Sequence, residues 1–321
     1  MKLTLALQGG GAHGAFTWGV LDKLLEAGIQ PKAISGTSAG TMNAVVLAEG
    51  WRKGGADGAR ELLQNFWQGL ALPDTLAGQS SSEWWRRLSK HLSPYDINPF
   101  DYNPLKQQLE KLIDFDGLRT GSQVRLYIAA TQVETGSLTL FTQQQLTVEH
   151  LLASACLPTI HKAVSIEGKH YWDGGFSGNP VLRPLITQTQ CSDLLCILLQ
   201  PLIRPNLPTQ ANAISERMNE LMFQSAFLRE LDMMREYRSH LKSSPWLIGR
   251  QESKWRRLRM HLIEPTDYLA SLAGASRFDT RKGFLDSLFI QGSEQAERWL
   301  NHSSKGVGRY ATWDYEALFS S

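Results

Sequence analysis

Residues Lys2 to Gly40 read KLTLALQGGGAHGAFTWGVLDKLLEAGIQPKAISGTSAG, and the order of patterns within them decides the fold. Lys2 to Leu7 alternates and then runs apolar, as a short buried strand does. Glycines follow, and Ala15 to Ala27 then carries Phe16, Val20, Leu21, Leu24 and Leu25 at helical spacing. Gly28 stops that helix, because the residue after a helix end commonly adopts a left-handed backbone. Lys32 to Gly36 reads as a second short strand, and Ser38 to Glu49, rich in small and apolar residues, as a buried helix. Strand, helix, strand, helix predicts a parallel sheet with right-handed crossovers.

Further along, Asp57 to Leu70 is predicted as another helix. Residues 76–103 break the pattern: serines, prolines and the adjacent Trp84 and Trp85 show no sustained periodicity. A loop this long inside a compact domain is a lid, a binding loop or an unstructured segment. Helix resumes over Pro104 to Ile113. Val124 to Val133 and Ser137 to Phe141 read as strands, and Thr147 to Cys156 as a short helix. Val164 to Ile166 and His170 to Trp172 flank Glu167-Gly168-Lys169, a hairpin signal. Asp193 to Leu199 reads as a buried strand, and Ala213 to Leu241 as a long helix with Met218, Leu221, Met222, Ala226, Leu228 and Leu231 facing inward. Leu258 to Ile263 adds a strand and Arg281 to Leu300 a closing helix. The expected organisation is a catalytic core over 1–205, with 76–103 as its candidate lid, and a mostly helical extension over 206–321 packed on it.

Bulk properties narrow the function. The 321 residues are 42% hydrophobic and 20% charged, with a net charge of +2, so no global field favours nucleic acid. The three cysteines lie in apolar segments without metal-ligand spacing, which predicts reduced, buried thiols and neither a disulfide frame nor a zinc site. The opening apolar run is too short for a signal peptide, and no uncharged run reaches the roughly 18 residues of a membrane span. A cytoplasmic protein is expected, peripheral to a membrane at most.

Gly9-Gly10-Gly11-Ala12-His13-Gly14 lies between a strand and a helix and satisfies G-x-G-x-x-G. A dinucleotide site would need a carboxylate about 20 residues on, at the end of the second strand. Ser35-Gly36-Thr37-Ser38 offers none. What remains is a packing turn, or an oxyanion hole in which glycine N–H groups converge beside a helix N-terminus. Gly36-Thr37-Ser38-Ala39-Gly40 fits G-x-S-x-G at a strand-to-helix junction, the setting of a nucleophile elbow, although a plain serine N-cap fits the same residues. Adjacent parallel strands would bring both turns to one sheet edge. Serine then needs a base. Asp173, in Tyr171-Trp172-Asp173-Gly174-Gly175, ends a strand, but Asp-Gly-Gly is also an ordinary turn. His240, His261 and His302 follow it and could formally complete a Ser, Asp, His triad, His261 lying nearest a strand end.

Taken in order, GGGAHGAF, GTSAG and the DGG after a helix ending in Leu157-Pro158 resemble the patatin-like phospholipase family. The resemblance runs from Leu3 to Pro184 and includes ASACLPTI (Ala153 to Ile160) and GFSGNPV (Gly175 to Val181). It implies an α/β fold, a three-layer α/β/α sandwich with a central, mostly parallel sheet, here with helical elements added at the C-terminus. It also implies acyl-ester hydrolysis by a Ser-Asp dyad without histidine. On this chain Ser38 would be the nucleophile and Asp173 the base. The N–H groups of Gly10, Gly11, Ala12 and Ala39 would receive the oxyanion, with Gly9, Gly14, Gly36, Gly40, Gly174 and Gly175 completing the motifs. These roles call for no cofactor and no metal. One departure is His13, where many members of the family carry Arg or Lys, so that the loop's charge is expected to depend on pH.

The implied substrate is a lipid or other fatty-acyl ester. Tryptophans beside cations, Trp84-Trp85-Arg86-Arg87 and Lys254-Trp255-Arg256-Arg257, suit a membrane boundary, and equally suit core rings with solvated arginines. Arg250 to His261 carries five basic residues against one acidic. A soluble ester or thioester is the alternative substrate, and a lipid-binding protein on an inactive hydrolase scaffold the non-enzymatic alternative. Three intact motifs weigh against the latter.

Overall fold

Side chains alternate along the strands of this chain, and that period of two builds a separate core on each face of one sheet. The computed structural model describes residues 1–74, 103–244, 246–247 and 249–319. The candidate lid therefore lies outside the described residues, with Trp84 and Trp85, apart from Asn103. The first half runs β1 (Lys2–Leu7), α1 (Gly14–Glu26), β2 (Gln30–Thr37), α2 (Ala39–Leu70), α3 (Pro104–Leu112), α4 (Phe115–Gly121), β3 (Arg125–Gln132), β4 (Leu138–Thr142) and α5 (Val148–Ser154). It continues through β5 (Val164–Ile166), β6 (Lys169–Asp173), α6 (Arg183–Thr187), β7 (Asp193–Ile197), α7 (Ala211–Ser243), α8 (Arg250–Arg257), β8 (Arg259–Ile263), α9 (Asp267–Ser271) and α10 (Lys282–His302).

The strands form one sheet in the order β5-β6-β3-β2-β1-β7-β8, with β4 pairing on β3 off that path. From β3 to β8 every neighbour is parallel, and β4, β5 and β6 are antiparallel. Leu3, Leu5 and Leu7 of β1, with Leu195 and Ile197 of β7, join Phe16, Val20, Val45 and Leu288 from α1, α2 and α10. The intervening Ala6, Leu194 and Cys196 face the other way, into a cluster with Leu185 of α6 and Phe227 and Leu231 of α7. Helices thus cover both faces of a mostly parallel sheet, as the βαβ reading predicts.

One helix differs from its expected orientation. Met218, Leu221 and Met222 of α7 are 65%, 45% and 44% exposed, whereas Leu231 is buried and Ala226 and Leu228 are half-buried. The first buried residue of α7 is Gln224, so its opening turns run clear of the sheet and their apolar stripe has no core to meet. Trp255 of α8 turns inward, half-buried against the second core and edge-on to Tyr237 at 5.4 Å between ring centroids. None of the three cysteines is in a disulfide; Cys156 and Cys196 are buried and Cys191 is half-buried. Among the described residues no helix is long and apolar enough to cross a membrane.

Candidate active site

The parallel order places the turn after β1 and the turn after β2 side by side at the C-terminal edge of the sheet, as β1 pairs with β2 from Lys2↔Gln30 to Leu7↔Gly36. Ser38 stands between β2 and α2 with φ 53° and ψ −120°, a conformation that β-carbon-bearing residues rarely adopt. The elbow closes tightly: a β-carbon on Gly36 would lie 2.6 Å from the Gly40 carbonyl, and one on Gly40 would collide with the Leu7 carbonyl. Ser154 at the end of α5 accepts the Ser38 N–H at 3.0 Å and shares a 2.7 Å hydrogen bond with the Thr41 hydroxyl. The Ser35 and Thr37 hydroxyls donate to the Val181 and Gly178 carbonyls at 2.6 and 2.7 Å, tying β2 to the segment after Asp173.

Asp173 ends β6, which pairs antiparallel with β3 so that Asp173 faces Ala130. It is 1% exposed. Its carboxylate accepts the Gly175 N–H at 2.7 Å, and the Ser38 side chain lies near enough to act on it. Burial pushes this acid up to about 6, against the opposing pull of those two groups. Gly174 lies against the Ala129 carbonyl, and Gly175 beneath the ring of Phe223 from α7. Phe223 packs on Phe176 in a tilted arrangement at 4.8 Å between centroids, so apolar rings wall the turn that follows the aspartate.

The glycine loop is held from both sides. The Gln8 Oε1 accepts the N–H groups of Leu199 and Gln200 at 2.6 and 3.0 Å, and the Asn179 Oδ1 accepts the Gly9 N–H at 2.6 Å. Gly9 packs under the elbow, where a β-carbon would lie 2.8 Å from that of Ser38, and Gly14 lies equally close to Ala39. The N–H groups of Gly10, Gly11 and Ala12 have no acceptor among the described residues. Gly11 has φ +59° and sits against the carbonyl of Arg277 in a 3-10 turn over Gly274–Phe278. From that turn Ser276 bonds the His13 Nε2 at 2.7 Å. Burial and the nearby Arg277 hold His13 down at about 4, so the loop stays neutral across physiological pH, contrary to the expectation from its histidine. The Arg277 Nε is buried without a partner.

None of the three candidate triad histidines is hydrogen-bonded to Ser38 or Asp173. His261 is fully buried, with its Nδ1 on Thr312 at 2.8 Å and its Nε2 on Asp193 at 3.2 Å. His302 bonds the Arg298 carbonyl, and His240 lies exposed on α7. Asp193 also holds Arg259 and the Gly308 N–H, and those donors keep its carboxyl well below the usual range. His261→Ala is therefore expected to cost about 1–3 kcal/mol of stability by leaving buried partners unsatisfied. Turnover per folded molecule should stay within about twofold, on thermal melts and active-site titration; a large loss of turnover would restore the triad.

Several residues of this site escaped the sequence reading. Ser154 lay within the quoted ASACLPTI, and Asn179 within GFSGNPV, without any assigned role. Gln8, Arg277 and Phe223 carry no local signal, since each acts on a segment distant in the chain. Among the described residues, no group of three His, Cys, Asp or Glu side chains is placed to hold a metal ion.

Comparison with known proteins adds three findings. The family model described as Patatin-like phospholipase matches residues 5–186, more than half of the chain. No curated protein matches in sequence. Among solved structures, VipD from Legionella pneumophila is similar at 14% identity and a TM-score of 0.41, over 92% of this chain and 67% of that one. A chain in the complex of full-length SpcU with full-length ExoU, from the type III secretion system of Pseudomonas aeruginosa, is similar at 15% identity and a TM-score of 0.33, over 92% and 52%. Likeness at these scores carries no argument about activity.

Proposed function

The chain belongs to the patatin-like phospholipase family, and from that premise we propose that it cleaves fatty-acyl esters of phospholipids through Ser38 and Asp173. The observation that carries this reading is the Ser38 side chain in its strained turn near the buried Asp173 carboxylate, beside a loop whose N–H groups have no acceptor among the described residues. The Ser38 oxygen attacks the ester carbonyl carbon while its proton passes to Asp173. The N–H groups of Gly10, Gly11 and Ala12, with that of Ala39 at the start of α2, receive the oxyanion. Collapse of the intermediate breaks the carbon–oxygen bond, and the proton on Asp173 goes to the departing alkoxide. A water then attacks the acyl-serine, gives its proton to Asp173, and the fatty acid leaves as the proton returns to Ser38. A base raised to about 6 by burial suits this cycle, because it accepts a proton more readily than an exposed carboxylate and is still ionised at neutral pH.

Arg277 supports a phospholipid over a neutral ester. Glu220 and Glu216 act on the charge of Arg277, but its buried Nε lacks an acceptor, and a lipid phosphate brought to the neighbouring loop would supply one. The test is product analysis on mixed phospholipid vesicles. Free fatty acid and lysophospholipid are expected from the wild type, and Arg277→Met should reduce their release at least tenfold relative to hydrolysis of a neutral chromogenic ester. Intact phospholipid in the presence of Ser38-dependent ester cleavage would turn the reading to a soluble ester or thioester substrate. No cleavage of either would leave only the non-catalytic alternative.

A further inference from the structure

At the opposite edge of the sheet from Ser38, a cavity of about 460 Å³ lies between the loop after α6 and the helix α8. Arg250, Ser253, Lys254 and Arg257 of α8 line one side, and Gln190 and Ser192 the other. The cations fall at i, i+4 and i+7, which puts all three on one face of the helix. No carboxylate lines the cavity. Asp193 beside it is already held by Arg259, His261 and the Gly308 N–H, and Glu252 on α8 folds back onto Gly249.

We propose that this cavity binds a phosphate-bearing ligand, with Arg250 and Arg257 as its principal contacts. Lys254 is fixed in place by donating to the Thr187 carbonyl at 2.6 Å, so it contributes charge to a preformed wall. Arg250 and Arg257 make no hydrogen bond or ion pair among the described residues, and their guanidinium forks remain available to a phosphate. Like charges stacked on one helix face repel, and Arg250 in the first turn also opposes the helix dipole. An anion bound between them would remove both penalties. The hydroxyls of Ser192 and Ser253 and the Gln190 amide add neutral donors that suit phosphate oxygens. The volume falls within the roughly 300–1,000 Å³ of small-molecule sites and accommodates a sugar phosphate or a lipid headgroup.

The position separates this site from the chemistry. Ser192 precedes β7, whereas Ser38 and the glycine loop follow β2 and β1, which run parallel to β7. Strands of this length span about 20 Å, so a ligand here does not reach Ser38. It anchors or modulates the protein while leaving the reaction untouched.

Calorimetric titration with pyrophosphate and sedimentation with phosphatidylcholine vesicles, with and without phosphatidic acid, test the proposal on the full chain. Wild type and Arg250→Gln/Arg257→Gln are compared, both arginines being exposed so that the fold is kept. Saturable pyrophosphate binding is expected, at least tenfold weaker in the double variant, with chromogenic-ester hydrolysis unchanged. Arginine-dependent binding to pyrophosphate alone would identify a soluble phosphorylated ligand. The same dependence in sedimentation with phosphatidic acid vesicles would identify a membrane headgroup. The proposal is overturned if the wild type does not bind pyrophosphate, if the double variant binds it equally, or if a fluorophosphonate adduct on Ser38 blocks it. None of these outcomes depends on whether the chain hydrolyses phospholipids.

Discussion

Asp173→Asn should lower ester hydrolysis by about 10²- to 10⁴-fold, the range lost with a general base, and at the same time make the fold more stable. Catalysis fails because an amide cannot take the Ser38 proton. Stability rises because the native site disfavours the charge that catalysis needs: the carboxyl is raised from 3.8 to about 6 by burial. A carboxyl raised in the folded state holds its proton more tightly there than in the unfolded chain, so folding is favoured at low pH and weakened as pH rises through about 6. Two units correspond to about 3 kcal/mol at neutral pH, which asparagine would recover while its Oδ1 still accepts the Gly175 N–H. Thermal melts of the two proteins should coincide near pH 4 and separate by several degrees above pH 7. In the wild type, kcat/KM should climb with pH through about 6 and then level off. If Asp173 were only a turn residue, the amide would cost stability and spare activity. That outcome would remove the base from this account.

Gly11→Ala should reduce activity by about 10²- to 10³-fold, the loss seen when an oxyanion donor is displaced. Its φ of +59° strains any residue with a β-carbon, and that carbon would collide with the Arg277 carbonyl. Either the loop or the 3-10 turn over Gly274–Phe278 must then move, and the N–H of Gly11 moves with it. Gly28→Ala is the matched control. Its φ of +77° imposes a similar strain, but nothing lies within 4 Å of the added carbon. The control is expected to lose about 1–2 kcal/mol of stability and no turnover. Equal losses of turnover in the two variants would show that backbone strain alone, and not the geometry of the loop, explains the effect.

The elbow was legible because its requirements are local. Gly36 and Gly40 flank Ser38 in sequence, and the patterns of β2 and α2 on either side set the turn between them. The alternation of Leu3, Leu5 and Leu7 likewise foretold a buried strand, and the hairpin around Glu167-Gly168-Lys169 followed from turn chemistry. Asp173 was less legible. An Asp-Gly-Gly triplet says nothing of the β6–β3 pairing that carries it to Ser38, nor of the Phe223 ring that walls the turn after it. The same limit hid Ser154, which supports the Ser38 N–H from 116 positions away, and Asn179, 170 positions from Gly9. In α7 the apolar spacing of Met218, Leu221 and Met222 was read as an inward face, and all three are exposed, because periodicity cannot say whether a core lies opposite the stripe. The basic run from Arg250 was visible as charge; its cavity depends on where the loop after α6 passes.

The most direct measurement of the central claim is the rate at which a fluorophosphonate labels Ser38, followed by peptide mass spectrometry over pH 4 to 8 in wild type and Asp173→Asn. The account predicts a single adduct on Ser38 in the wild type, forming faster as pH rises through about 6 and then at constant rate, and forming at least 10²-fold more slowly at every pH above 6 in the variant. An adduct on another residue, or labelling of Ser38 at the same rate in both proteins, would contradict it.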